Sequence, residues 1–271
     1  LFQCFSTLPY CFPQQPTQKT HFKLSLPADS HRPKITMREN TECVLDLLAH
    51  YQGHVNQLYI LGDWFEAWLG DDDHSQWLDD IVHALQVFSA KGTKIFFMHG
   101  NRDFALGQQF MSRFGGQLIT KERITIENAG QRIVLEHGDA LCTDDISYQR
   151  FKKIIRNPLI INSLLYLPLS LRRKVAQQAR QKSKASHQRK SAYIMDVNEQ
   201  AVARALVSND ILLHGHTHRP AIHEYSNGKK RVVLGDWRES EITDSTTGST
   251  NGSAMIALLN EQGLQLIEWK F

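Results

Sequence analysis

Three histidines fall within five residues of the segment LLHGHTHRP: His214, His216 and His218. Imidazoles this dense are costly to leave without partners, and on a short segment after an apolar run they suit a transition metal. The i, i+2 spacing of His216 and His218 predicts both rings on one side of a strand mouth, with His214 turned differently. Groups of matching chemistry close other short apolar runs: Asp63 ends LYILGD, Asn101 ends KIFFMHGN, and His137 follows RIVLE. Carboxylate, amide oxygen and imidazole donors together fit Mn2+, Fe or Zn better than Ca2+, which prefers an all-oxygen shell. One carboxylate, Asp63, can bridge two ions. A pair of ions about 3.5–4 Å apart clamps the attacking and leaving oxygens of a phosphoryl displacement. Each motif alone has an ordinary reading, because GD after a strand is usually a turn or a helix cap. The string LGDW even occurs twice, at Asp63 and at Asp236, the second with no chemical neighbour evident in sequence. Taken in order, and all at the ends of apolar runs, the motifs point to a metal.

The elements that must hold these groups are legible in the same runs. LYILGD, KIFFMHGN, RIVLEHGD, DILLHGH and RVVLGD are short, apolar and β-rich, and helical patterns such as ENTECVLDLLAHY and DDIVHALQVFSAKG lie between several of them. That alternation predicts the buried strands of a layered α/β domain. Ligands in such folds gather beyond the carboxyl ends of the strands. STTGSTNGS is expected to be a flexible polar loop before a last strand, AMIALLN.

The 271 residues carry a net charge of +3, with 41% hydrophobic and 22% charged residues, as expected of a soluble globular chain. Phe151 to Lys190 hold eleven Lys/Arg and no acids, leaving twenty basic against twenty-eight acidic residues elsewhere. A basic block on an acidic body is a signal for an anionic surface or a phosphorylated substrate. The block reads as a helical cap over 150–195, broken at Pro158 and Pro168, apolar first and basic later. It has few interleaved aromatics, which argues against nucleic acid, and no obligate protein partner is inferred. Cys4, Cys11, Cys43 and Cys142 show neither metal-ligand spacing nor disulfide density, which predicts a reducing, cytoplasmic setting. Residues 1–20 show no period and no secretory signature, and are expected to be an unstructured or non-native tail ahead of a domain over 21–271.

The ordered motifs GD, GN, isolated His and GHxH resemble the calcineurin-like metallophosphoesterases. GDWFEAWLGDDD, HGNRDF, HGDALCTDD, IMDVN and HGHTHRP are similar, within that superfamily, to the UDP-2,3-diacylglucosamine hydrolases of Gram-negative lipid A synthesis. The resemblance implies an α/β sandwich of two mixed sheets flanked by helices, with a helical cap insertion. It also implies cleavage of UDP-2,3-diacylglucosamine to UMP and 2,3-diacylglucosamine 1-phosphate with two Mn2+ ions. Residue by residue, Asp63 matches the bridging ligand. Asn101, His137 and His216 complete one site, and His218 matches a ligand of the other. Arg102, Asp145, Ser183 and Lys190 match substrate contacts, as do Asn101 and His216, while His187 stands where relatives carry Asn. The cap would hold acyl chains at the cytoplasmic face of the inner membrane, as a peripheral rather than a spanning element.

One motif is missing or displaced. The family's first strand ends in DLH, whose Asp and His bind the first metal. Here the segment reads HFKLSLPADSHRPKIT, which by spacing puts Ser25 and Pro27 at those positions, while a literal DxH stands at Asp29 and His31. A shifted reading frame is a third reading: one back-translation of His21 to Ser25, read one base later, gives Ile-Ser-Asn-Phe-His. An intact parent gene, a displaced ligand pair and a catalytically impaired homologue all remain open at this point.

Overall fold

The computed structural model describes residues 21–24, 37–65, 67–73, 77–187, 196–243 and 250–270. Ser25, Pro27, Asp29, His31, Lys190 and the 1–20 segment lie outside them. The elements run β1 (His21–Leu24), α1 (Met37–Tyr51), β2 (Gln57–Ile60), α2 (Trp77–Ala90), β3 (Lys94–Met98), α3 (Gln108–Ser112), β4 (Gln117–Ile119), β5 (Arg123–Asn128) and β6 (Gln131–Glu136). Then follow α4 (Ile146–Ile155), α5 (Pro158–Leu165), α6 (Leu169–His187), α7 (Glu199–Leu206), β7 (Ile211–His214), β8 (Ala221–Glu224), β9 (Lys230–Val233), β10 (Trp237–Thr243), β11 (Thr250–Asn260) and β12 (Gly263–Lys270). One sheet is ordered β10-β11-β1-β2-β3-β4, with β12 on the other edge of β11; the second is ordered β5-β6-β7-β9-β8. Both are mixed: β1 to β4 are mutually parallel, as are β6, β7 and β9, and antiparallel strands flank each set.

The two-residue period of a strand decides which layer each side chain joins. In β2, Leu58 and Ile60 enter the core under α1 and α2, whereas Tyr59 and the following Leu61 enter the core between the sheets. In β11, Ile256 and Leu258 divide from Ala257 and Leu259 in the same way. Ile133, Leu135, Ile211 and Leu213 complete the inter-sheet core, while Val134 and Leu212 point outward beneath Ala201, Val202, Ala205 and Leu206 of α7. The result is helix, sheet, sheet, helix. Strands covered on both faces must be apolar throughout, which is why these runs show no alternation in sequence. Each fully buried Leu or Ile contributes about 1.5–3 kcal/mol.

The C-terminal expectation needs correction. AMIALLN is not the last strand: β11 begins at Thr250 and so absorbs part of the expected polar loop, and β12 follows it. β12 sends Leu264 and Leu266 toward the inter-sheet core and Ile267 and Trp269 toward the helix side in unbroken register with β11, so each face shows only two apolar residues and its pattern is weak in sequence.

Three helices occupy 146–187. Asn157 caps α5 by accepting from Leu159 N, and Pro158 takes the first helical position, where no donor is required. The Pro168 carbonyl accepts from Leu171 N and Arg172 N to start α6. Four of the eleven basic residues of this stretch turn inward to acids of the body. Lys152 and Arg156 reach Asp139, Lys152 also reaches Glu122, Arg172 pairs with Asp72, and Arg173 pairs with Asp73. Part of the charge segregation seen in sequence is thus intramolecular, fastening the helices to the domain.

Candidate metal centre

Five strand tips converge where the carboxyl ends of β2 and β3 meet those of β6, β7 and β9. Asp63 follows β2 by three residues, Asn101 follows β3 by three, His137 follows β6 directly, and His216 lies two beyond β7. Ligand atoms of Asp63, His137 and His216 all lie within 4.8 Å of one another, and all three residues are largely buried. Asn101 Oδ1 lies between the two imidazoles, 3.0 Å from His137 Nε2 and 2.9 Å from His216 Nδ1.

The tips approach closely because two glycines permit it. Gly62 has φ +82°, and a Cβ there would lie 2.3 Å from the Gly100 nitrogen; a Cβ on Gly100 would lie 2.1 Å from Asp63 Oδ1. The fully buried Asp103 carboxylate ties the same two tips, accepting from Trp64 N (2.8 Å) and Gly100 N (2.7 Å). Burial and the neighbouring Asp63 push Asp103 up to about 6. Asp63, His216 and His218 themselves adopt φ of 54°, 67° and 54°, in the left-handed region that non-glycine residues avoid. Such backbone costs about 1–2 kcal/mol per residue and concentrates where function requires it. It also corrects the pleat reasoning: His216 and His218 lie in a turn beyond β7, not on one face of a strand.

The donor set fits a cation. His137 Nδ1 lies 2.8 Å from the Leu61 carbonyl, which can only accept, so Nδ1 carries a proton and Nε2 is the ring atom whose lone pair is open to a ligand role. That lone pair faces Asn101 Oδ1 and, at 3.7 Å, Asp63 Oδ2. Burial and then His137 hold His216 down at about 3, so the His216 ring is neutral near pH 7. Several acceptor atoms aimed at one point repel one another unless a positive ion lies among them. The mixed O/N set suits Mn2+, Fe or Zn, and the His137 link to Leu61 is of the kind that orients an imidazole for metal binding.

The other expected residues fall into distinct places. Arg102 donates its backbone N–H to Asp63 Oδ1 (2.9 Å) and keeps its guanidinium nitrogen Nε 3.7 Å from Asp63 Oδ2, with the side chain 27% exposed. His218 is not in the convergent group; its Nδ1 lies 3.2 Å from Asp236 Oδ2. His214 is fully buried with Nδ1 2.8 Å from the Gly215 carbonyl. Asp145 is buried and caps α4 through Tyr148 N. Ser183 is exposed on α6.

Sequence reasoning missed the groups behind the site. Buried Asp139 accepts from Tyr148 Oη (2.5 Å), Lys152 Nζ (3.0 Å) and Arg156 (3.3 Å), and Arg156 also donates to the Gly100 carbonyl at 2.8 Å. Burial opposes the Asp139 charge, but His137, Lys152, His216 and Arg156 outweigh it and hold the carboxyl below its usual range. Tyr148 stacks on His216, centroids 6.3 Å apart. A signal existed: Tyr148, Lys152 and Arg156 are spaced i, i+4, i+8 on one helix face.

No family model matches the chain. A UDP-2,3-diacylglucosamine hydrolase from Pseudomonas fluorescens (strain SBW25) is 40% identical over 248 residues, covering 90% of this chain and 92% of the relative. Another, from Serratia proteamaculans (strain 568), is 48% identical over 189 residues, covering 68% and 78%. The chain belongs to the UDP-2,3-diacylglucosamine hydrolase family. Among solved structures, a dimetal phosphatase from Danio rerio superposes over 93% of this chain and 98% of its own, at 12% identity and a TM-score of 0.42. The architecture expected from the sequence, two mixed sheets between helical layers, is the one observed.

Proposed function

We propose that this chain hydrolyses UDP-2,3-diacylglucosamine to UMP and 2,3-diacylglucosamine 1-phosphate, a step of lipid A synthesis, with Mn2+. The observation that carries the reading is the convergence of Asp63, Asn101, His137 and His216 on one point, in a chain of this family. These four would hold one ion, and Asp63 with His218 would contribute to a second. When bound, the ions supply an activated water and charge neutralisation for phosphoryl transfer. The protein's own part is positional. Arg102, fixed through its backbone to Asp63, brings a planar multi-donor group to phosphate oxygens, and the Tyr148–Asp139–Arg156 contacts hold the ligand loops in register. Asp145, Ser183 and Lys190 are assigned to substrate binding, Asp145 while also capping α4.

The cap supports a lipid substrate. Among the described residues, Ile146, Phe151, Ile154, Leu159, Ile160, Tyr166, Leu167, Leu171 and Val175 are exposed along α4 to α6. Contiguous exposed apolar surface marks a binding or membrane-contact face, and no described helix is long and apolar enough to cross a membrane. We assign this face to acyl chains and to peripheral contact with the inner membrane.

The deciding test is Mn2+-dependent UMP release from UDP-2,3-diacylglucosamine by the chain as written. Turnover that does not require the acyl chains would replace this reading with a diphosphatase acting on another nucleotide. A second reading, catalytic impairment, is favoured by the absence of DLH after β1. Activity gained only when the strand is rebuilt to end in Asp-Leu-His, with about two ions held per chain instead of one, would establish it.

A further inference from the structure

The second LGDW string has no role in the proposed chemistry, yet its aspartate is nearly inaccessible. Asp236 is 6% exposed at the tip of β9, three residues beyond the strand. β9 lies parallel beside β7, with His214 opposite Val233, and the Leu234 N–H donates to the His214 carbonyl at 2.8 Å. That pairing carries the tip of β9 alongside the turn holding His218, whose Nδ1 lies 3.2 Å from Asp236 Oδ2. Gly235 makes the approach tight on its other side, since a Cβ there would lie 2.8 Å from Met255 Cβ. Asp236 is thus delivered to His218 by the β7–β9 pairing and is buried there.

We infer that Asp236 is the positioning residue of His218: its carboxylate keeps the proton on Nδ1 and turns Nε2 outward as the ring's coordinating atom. The inference rests on the reading of His218 as a ligand. A carboxylate accepts only, so a neutral His218 bonded to it must be the Nδ1–H tautomer with its lone pair on Nε2. The same bond fixes the ring plane and raises ligand basicity, and loss of such an outer partner typically weakens metal affinity about 10–100-fold. His137 is oriented by the same logic from the Leu61 carbonyl. One LGDW thus carries the carboxylate that would hold an ion directly, and the other a carboxylate that faces an imidazole.

The test is nitrogen NMR on the full chain with labelled histidine, stripped of metal and then titrated with Zn2+ as a diamagnetic probe. His218 signals are assigned by loss in His218→Gln. In the unmutated protein His218 is expected as the Nδ1–H tautomer, and in Asp236→Asn as Nε2–H or a mixture, with His137 unchanged. Zn2+ is expected to shift His218 Nε2, at roughly 10–100-fold higher concentration in Asp236→Asn than in the unmutated chain. An Nε2–H tautomer in the unmutated protein overturns the inference without any variant. So does a tautomer and Zn2+ response that Asp236→Asn leaves unaltered. If Zn2+ shifts His137 and His216 but never His218, the ligand reading of His218 fails, and the inference with it, while the diphosphatase reading stands on UMP release.

Discussion

At the residue scale, the site depends on atoms that are not ligands. Gly62 is the sharpest case, because it combines left-handed backbone with a neighbouring peptide where its side chain would be. Gly62→Ala is expected to destabilise the fold by about 3 kcal/mol or more, adding left-handed strain to steric overlap. Urea unfolding would show a lower midpoint at unchanged slope. Cys142 makes a second residue-scale case. Burial, then the Asp139, Asp196 and Asp145 charges, push its thiol up to about 12. Reaction rates follow the thiolate fraction, and a raised pKa keeps that fraction small at pH 8. Iodoacetamide should therefore spare Cys142 in the folded protein and modify it only after denaturation, as peptide mass mapping would show.

At the element scale, the helices over 146–187 are fastened to the body by charge as well as by Ile161 and Leu165, which pack against its core. Arg172 is 4% exposed and donates to the Leu69 and Leu167 carbonyls and to Asp72. The three consecutive acids have separate partners: Asp71 accepts from Gly107 N and Phe110 N at the start of α3, while Asp72 and Asp73 take Arg172 and Arg173 of α6. One acidic loop thus joins the core to the cap. Arg172→Met is expected to cost about 1–2 kcal/mol, discounted because Asp72 is 57% exposed. Its signature is faster hydrogen exchange across 169–179 with the β6 and β7 amides unaffected.

At the scale of the whole molecule, basic charge and exposed apolar side chains lie on the same helices. Such a surface attracts anionic lipid by charge and holds it by apolar burial. The chain should cosediment with vesicles containing anionic phospholipid and be released as salt is raised toward 0.5 M. Leu159→Ser combined with Tyr166→Ser removes two of the most exposed apolar groups (79% and 90%). It is expected to weaken cosedimentation at least about tenfold, on the burial value of apolar side chains, with no loss of thermal stability. Binding that ignores lipid charge and this substitution alike would locate membrane contact elsewhere.

The sequence by itself determined which donor side chains close the strands, and the strands that deliver them. Asp63, Asn101, His137 and His216 were legible because each closes an apolar run, and a two-sided sheet needs such runs whatever their order in space. The cap's helices were legible through Pro158 and Pro168, whose effects on the backbone are local. What only the tertiary structure decided depends on pairing between distant strands. Asp236 looked inert because its neighbour, His218, is eighteen residues away and meets it only through the β7–β9 register. β12 was hidden because its faces are divided between two cores. The inward part of the basic block was hidden for a related reason: a charge run shows its sign in sequence, but its partners are set by packing, and here Asp72, Asp73, Asp139 and Glu122 belong to the chain itself.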